Sequence, residues 1–113
     1  MRNPWVIPAA RELNQRVAMW TLIPGDWRAT SSEWLIPRME LIAARAKRNL
    51  SAAGAANGAA TTGDILCLHD GSHRQLNADR LPTLAALEHW LPRWRDLGLE
   101  FVTIDDAVSA PAT

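Results

Sequence analysis

The apolar positions along the chain fall into two kinds of pattern, one with helical spacing and one running without interruption. From Pro8 to Gln15, Ala9, Ala10 and Leu13 share one helical face, and Pro8 suits a first turn. The next stretch, Arg16 to Ile23, is nearly all apolar after Arg16 and stops at Pro24-Gly25. That predicts a strand buried on both faces, followed by a turn over Pro24-Gly25-Asp26-Trp27. Thr30 and Glu33 have capping-box spacing, but Pro37 would disrupt a helix begun there. Ser31 to Leu35 is therefore read as a turn, with the main helix starting near Ile36. Leu41, Ile42, Ala46 and Leu50 give that helix an apolar face, and Arg45, Lys47 and Arg48 load its later half with positive charge.

An Ala/Gly-rich run over residues 52–62 follows, with no apolar period of either kind. It reads as a mobile connection; the alternative is an Ala-rich extension of the helix. Ile65-Leu66-Cys67-Leu68 predicts a second short buried strand ending at His69-Asp70-Gly71. A third helix is expected from about Asp79, with Leu84, Leu87, Leu91 and Trp94 on one face, a kink at Pro92 and a stop at Gly98. Phe101-Val102-Thr103-Ile104 predicts a third strand. The expected organisation is one unit over residues 1–107 and a frayed tail over 108–113.

Helix and strand alternate, which implies an α/β arrangement of about three parallel strands with helical crossovers. Three strands are few for a sheet that wants both faces covered, so the pattern reads as part of a larger (β/α) barrel.

Composition narrows the function. The 113 residues carry 12 basic and 12 acidic side chains, and this neutral balance argues against a nucleic-acid partner. No apolar stretch approaches the roughly 20 residues of a membrane span. Met1-Arg2-Asn3-Pro4-Trp5 lacks the apolar segment and cleavage site of a signal peptide. Cys67 is the single cysteine, which excludes a multi-cysteine metal site, and no metal ligand is assigned among His69, His73 and His89. Six Trp stand beside one Phe and no Tyr. Trp is common in cores and in sugar-binding clefts alike.

In parallel α/β architectures the site gathers at the C-terminal ends of strands. Asp26-Trp27 and His69-Asp70 fall there. His69 is read either as a functional imidazole or as a satisfied strand-end histidine. His73 is a rim or a solvated loop residue, and His89 belongs to an outer helix surface. Trp90 and Trp94 are assigned to helix packing, and Asp105-Asp106 to a solvated strand exit.

The segment from Gly63 to Gly71, Thr83, the Leu-rich kinked helix, Gly98 and Phe101-Val102-Thr103-Ile104 resemble the end of a polysaccharide deacetylase domain. This is the NodB-homology group, carbohydrate esterase family four. Met19 to Trp27 resembles the stretch in which that family carries its Asp-Trp motif, and the likeness extends over roughly Val17 to Ala107. It implies a partial (β/α) barrel of the NodB-homology type and hydrolysis of N-acetyl groups on amino-sugar polymers. It also implies that His69 is the general acid, Asp26 its partner, and Trp27 a wall of the sugar groove. An imidazole titrates near neutral pH and can protonate a leaving amine there, and a neighbouring carboxylate favours its charged form.

The sequence departs from the family's pattern in several places. Cys67 stands where the family has the Leu of its Leu-x-His motif, so with Leu68 it would line the acetyl-methyl pocket; the plainer reading is a small buried hydrophobe. Ile23 occupies the position of a frequent second Asp. The family's Thr-Phe-Asp-Asp-Gly and Arg-Pro-Pro motifs do not occur, and the His-x-x-x-His spacing from His69 to His73 begins at the histidine of the Leu-x-His motif itself. The base and the divalent metal, zinc by resemblance, are therefore expected only in a complete domain, and this chain is expected to be inactive alone. The expected partners are an acetylated amino-sugar polymer and a complementary N-terminal half or a second copy. The competing expectation is a non-catalytic module that associates through an open barrel edge.

Overall fold

A computed structural model describes residues 3–55 and 63–109. Four α-helices follow one another: α1 (Val6–Glu12), α2 (Ser32–Ala55), α3 (Leu81–Asp96) and α4 (Ile104–Ser109). A single 3-10 turn, Asp26–Arg28, lies between α1 and α2. Met1, Arg2, residues 56–62 and residues 110–113 lie outside the described residues, and with them most of the Ala/Gly run and the end of the expected tail.

The core is the seam between α2 and α3. Leu35, Met39, Ile42, Ala43 and Ala46 form one buried stripe along α2, and Ala86, Trp90 and Trp94 face them from α3. Ala86 is small enough to let the helix axes approach, while the stacked rings of Trp90 and Trp94, 5.8 Å apart, fill the space beyond it. Trp90 Nε1 donates to the Ile36 carbonyl at 2.9 Å, tying the two helices by a hydrogen bond inside the apolar contact. The expected stripes are met in part: Ile42, Ala46 and Trp94 are buried, and Leu87 packs against the core. Leu41, Leu50, Leu84 and Leu91 point outward, because the helix contact selects the Ala and Trp positions next to them.

Helix α2 starts earlier than Pro37 suggests. The Ser31 hydroxyl accepts from the Trp34 N–H, which caps the first turn. Glu33 is held below the usual carboxylate range by its own backbone N–H first and by the Ser31 hydroxyl next. Pro37 then sits inside the helix on an exposed face and leaves the Glu33 carbonyl without its helical donor. The burial of Leu35 and Met39 on either side of Pro37 offsets that loss. At its far end α2 runs on through residues 51–55, as the helix-extension alternative had it.

Two helices end in the same way. After α3, Gly98 adopts φ 82°, its N–H bonds the Arg95 carbonyl, and the Leu99 N–H reaches the Trp94 carbonyl. After α1, Asn14 takes the left-handed conformation, with the equivalent bonds from Asn14 to Arg11 and from Gln15 to Ala10. Both are Schellman closures.

The expected partial (β/α) barrel of about three parallel strands is not what forms. Among the described residues there is no strand, sheet or barrel. The first two apolar runs do lie side by side and parallel, but they meet at one bridge, Leu22 with Leu66. Thr21 and Leu22 donate to the Ile65 carbonyl, and Cys67 donates to the Leu22 carbonyl. Val17, Met19, Trp20 and Ile23 are exposed, so the first run lacks the cover on both faces that a buried parallel strand needs. Among the described residues the third expected strand pairs with no other segment. Phe101 and Val102 are exposed, and Ile104 opens α4, where Thr103 caps the first turn by accepting from the Asp106 N–H. Asp105 pairs with Arg16 at 2.9 Å instead of marking a strand exit.

Two substitutions on α2 should move stability in opposite directions. Leu35→Ala removes a fully buried side chain and should cost about 2–5 kcal/mol. Pro37→Ala restores a helical hydrogen bond on an exposed face and should gain about 1–2 kcal/mol. Urea unfolding monitored by circular dichroism checks both, and a destabilised Pro37→Ala chain would contradict the account of α2.

Candidate functional site

The parallel bridge decides where the polar residues emerge. Two parallel segments leave at the same end, so Asp26, four residues past Leu22, and His69, three past Leu66, arrive together. Gly25, at φ 82°, turns the chain so that Asp26 points inward at the start of the 3-10 turn while Trp27 stays at the surface. Asp26 is 1% exposed and Trp27 40%.

Asp26 is almost fully used as an acceptor. Its Oδ2 takes the backbone N–H of His69 at 2.8 Å and the Thr83 hydroxyl at 3.4 Å, and its Oδ1 lies 2.9 Å from His69 Nδ1. A carboxylate only accepts, so Nδ1 must carry the proton in this contact, and Nε2 is the ring atom left for a ligand. Among the described residues nothing bonds Nε2. The Trp27 ring meets His69 edge to face, 4.7 Å between centroids. His69 is thus held by two bonds to one buried carboxylate, one from its backbone N–H and one at Nδ1, and its ring also meets an aromatic wall. Its side chain remains 37% exposed.

His69 and Trp27 open into a cleft of about 780 Å³, lined also by Arg28, Gly71, Ser72, His73 and Arg74. Asp26 stands behind the imidazole. Cys67 and Leu68 do not line this cleft; both are half-buried, and Cys67 is a free thiol whose N–H serves the bridge. His73 does reach the cleft, where its Nε2 accepts from Arg74 Nε at 3.3 Å. His89 is far from it in role: it lies on α3, edge to face with Trp90. A second, apolar cleft of about 420 Å³ between α2, α3 and residues 97–102 includes Leu66, Leu87, Leu91, Trp94 and Phe101.

Sequence reasoning passed over Thr83, Arg28 and Arg74 as site residues. Thr83 could have been found from its polarity on the buried side of α3, one residue before Leu84. Arg28 directly follows Asp26-Trp27, and Arg74 follows His73.

The resemblance implies a divalent metal, and the donor set can be tested against it. Among the described residues no three His, Cys, Asp or Glu side chains converge, and Asp26 and His69 Nδ1 are engaged with one another. A tetrahedral or octahedral ion needs three or more preplaced donors. The residues described do not fit that group.

Comparison with known proteins bears on this arrangement. A peptidoglycan-N-acetylglucosamine deacetylase of Bacillus cereus is 30% identical over 104 residues, which is 92% of this chain and 39% of that protein. The chain is similar to part of a deacetylase. The likeness supports the polysaccharide deacetylase family at most, since the chain spans about two fifths of the relative's length. No family model matches the chain, and no solved structure matches it.

The Asp26 contact predicts the tautomer of His69. In neutral imidazole the proton should sit on Nδ1, with Nε2 the acceptor, and Asp26→Asn should release that preference. Long-range ¹⁵N correlation spectra read the two nitrogens directly. An Nε2–H tautomer in the unsubstituted chain would show that the carboxylate does not hold the ring.

Proposed function

We propose that this chain is the C-terminal portion of a polysaccharide deacetylase, acting on N-acetyl groups of amino-sugar polymers. The observation that carries the reading is the imidazole pinned through Nδ1 to a buried carboxylate, beside an exposed Trp at the mouth of a cleft. In amide hydrolysis water adds to the acetyl carbonyl, the C–N bond breaks, and the departing nitrogen must gain a proton. His69 holds that proton at Nε2 and passes it to the nitrogen. Asp26 orients the ring and stabilises the charge the imidazole carries before transfer. The Trp27 face packs against the sugar ring, as aromatic platforms do for saccharides. Water activation belongs to groups outside the described residues, so the chain alone is proposed to be inactive.

The test supplies what the likeness does not reach. Mixed with the remaining portion of the Bacillus cereus relative, the chain should release acetate from an N-acetylated glycan. His69→Ala should lower that rate by about 10²–10⁴-fold. Asp26→Asn should act in the same direction but more mildly, and His89→Ala should change little. An unaffected His69→Ala mixture would remove the proposed acid.

A second reading, a non-catalytic module that works by association, is favoured by the exposed Val17, Met19, Trp20, Phe101 and Val102. Extended backbone paired at one bridge leaves donors and acceptors open to another chain. If that surface serves self-association, sedimentation should show dimers or larger species, and Trp20→Ser with Phe101→Ser should shift them toward monomer. A sharp monomeric boundary at high concentration would contradict it.

A further inference from the structure

The charge of the cleft stands out against a chain whose formal charge is zero. Its lining contains Arg28, Arg74, His69 and His73 and no carboxylate. Asp26 is buried behind the ring and occupied, and Asp70, next in sequence, is exposed but outside the lining. Arg28 is exposed; its backbone N–H bonds the Gly25 carbonyl, and its guanidinium has no hydrogen bond or ion pair among the described residues. Arg74 spends only Nε on His73, which leaves both terminal nitrogens of its guanidinium as donors. Its own backbone N–H bonds the Ser72 hydroxyl at 3.1 Å, which holds the loop that presents it.

A planar guanidinium matches the two oxygens of an oxyanion, and two of them line the same cleft as the Trp27 ring. From this we infer that Arg28 and Arg74 form a subsite for an oxyanion carried by the saccharide, a carboxylate on the sugar that lies against Trp27. The inference rests on the amino-sugar reading and sharpens it: the preferred polymer is acidic, not neutral. The guanidinium groups act as binding and specificity residues and take no part in proton transfer.

Two oligosaccharides of equal length separate the possibilities. Chitotetraose carries acetamido groups and no charge; a hyaluronan tetrasaccharide carries acetamido groups and two carboxylates. Titrated into the full ¹⁵N-labelled chain at low ionic strength, both should shift the Trp27 indole signal. The acidic oligomer should bind about tenfold more tightly, because two partly exposed charge contacts each contribute a few-fold. That ratio should shrink at about 0.5 M salt. Arg28→Gln or Arg74→Gln should each lower the ratio by about threefold, and the double variant should bring it near one. The Trp27 and His69 signals of each variant, unshifted without ligand, establish that the fold is intact. Equal affinities, or a ratio that survives the double variant, overturn the oxyanion subsite while leaving the amino-sugar reading in place. Failure of both oligomers to bind overturns the two together. Inorganic phosphate that displaces the acidic oligomer at equal concentration also overturns the inference, since the site would then recognise a free anion and not a charged sugar.

Discussion

A carboxylate buried to 1% exposure has to find donors, and Asp26 finds them on segments 43 and 57 residues away in the chain. Charge-assisted hydrogen bonds of this kind are worth about 1.5–3 kcal/mol each when made, and a buried oxygen without a partner costs on the same scale. The cost of failing to pair is what holds the 3-10 turn, the His69 loop and the first turn of α3 together. Two of the three bonds that satisfy Asp26 come from His69 and aim its ring, and the third ties the carboxylate to Thr83. Stability and chemistry therefore draw on one residue, and the apolar seam of α2 and α3 supplies the fixed wall on which Thr83 is mounted.

That dependence explains which features were legible in the sequence. Asp26, Trp27 and His69 could be singled out because parallel segments deliver their following residues to one end, and this needs only the local pairing that Leu22 and Leu66 provide. Gly98 was legible as a helix stop because only a left-handed residue closes the turn there. The partial barrel was not correct. A run of apolar residues is compatible with a strand covered on both faces, but the run itself does not bring the covering layers, and here Val17 to Trp20 are left in solvent.

Other misses have local causes. Pro37 was weighed as a helix breaker, whereas the Ser31 cap and the burial of Leu35 and Met39 outweigh one missing bond. On α3 the leucine spacing included Leu84 and Leu91, which are exposed, and passed over Ala86, which the close contact with α2 buries, while Trp90 and Trp94 pack in the core as expected. The α4 start was readable in principle: Thr103 stands three residues before Asp106, and the two exchange hydrogen bonds at the cap. Assigning Phe101 to Ile104 to a strand hid it.

One bridge is a slender basis for register, since a slip of a single residue would move His69 by about 3.3 Å and turn its side chain to the opposite face. Side chains supply what the backbone lacks. The Thr21 hydroxyl donates to Asp64 Oδ1 at 2.6 Å and accepts from the Ile65 N–H at 2.9 Å, one residue before the bridge on both segments. Asp64 in turn is paired with Arg45 on α2. The register is thus referenced to the helical core and not to a sheet. A slip would break the Thr21 contacts and the Asp64 pair before it gained any new ladder bond. The relative position of Asp26 and His69 is in this way set from both ends, by the Thr21–Asp64–Arg45 chain below the bridge and by the carboxylate–imidazole contact above it.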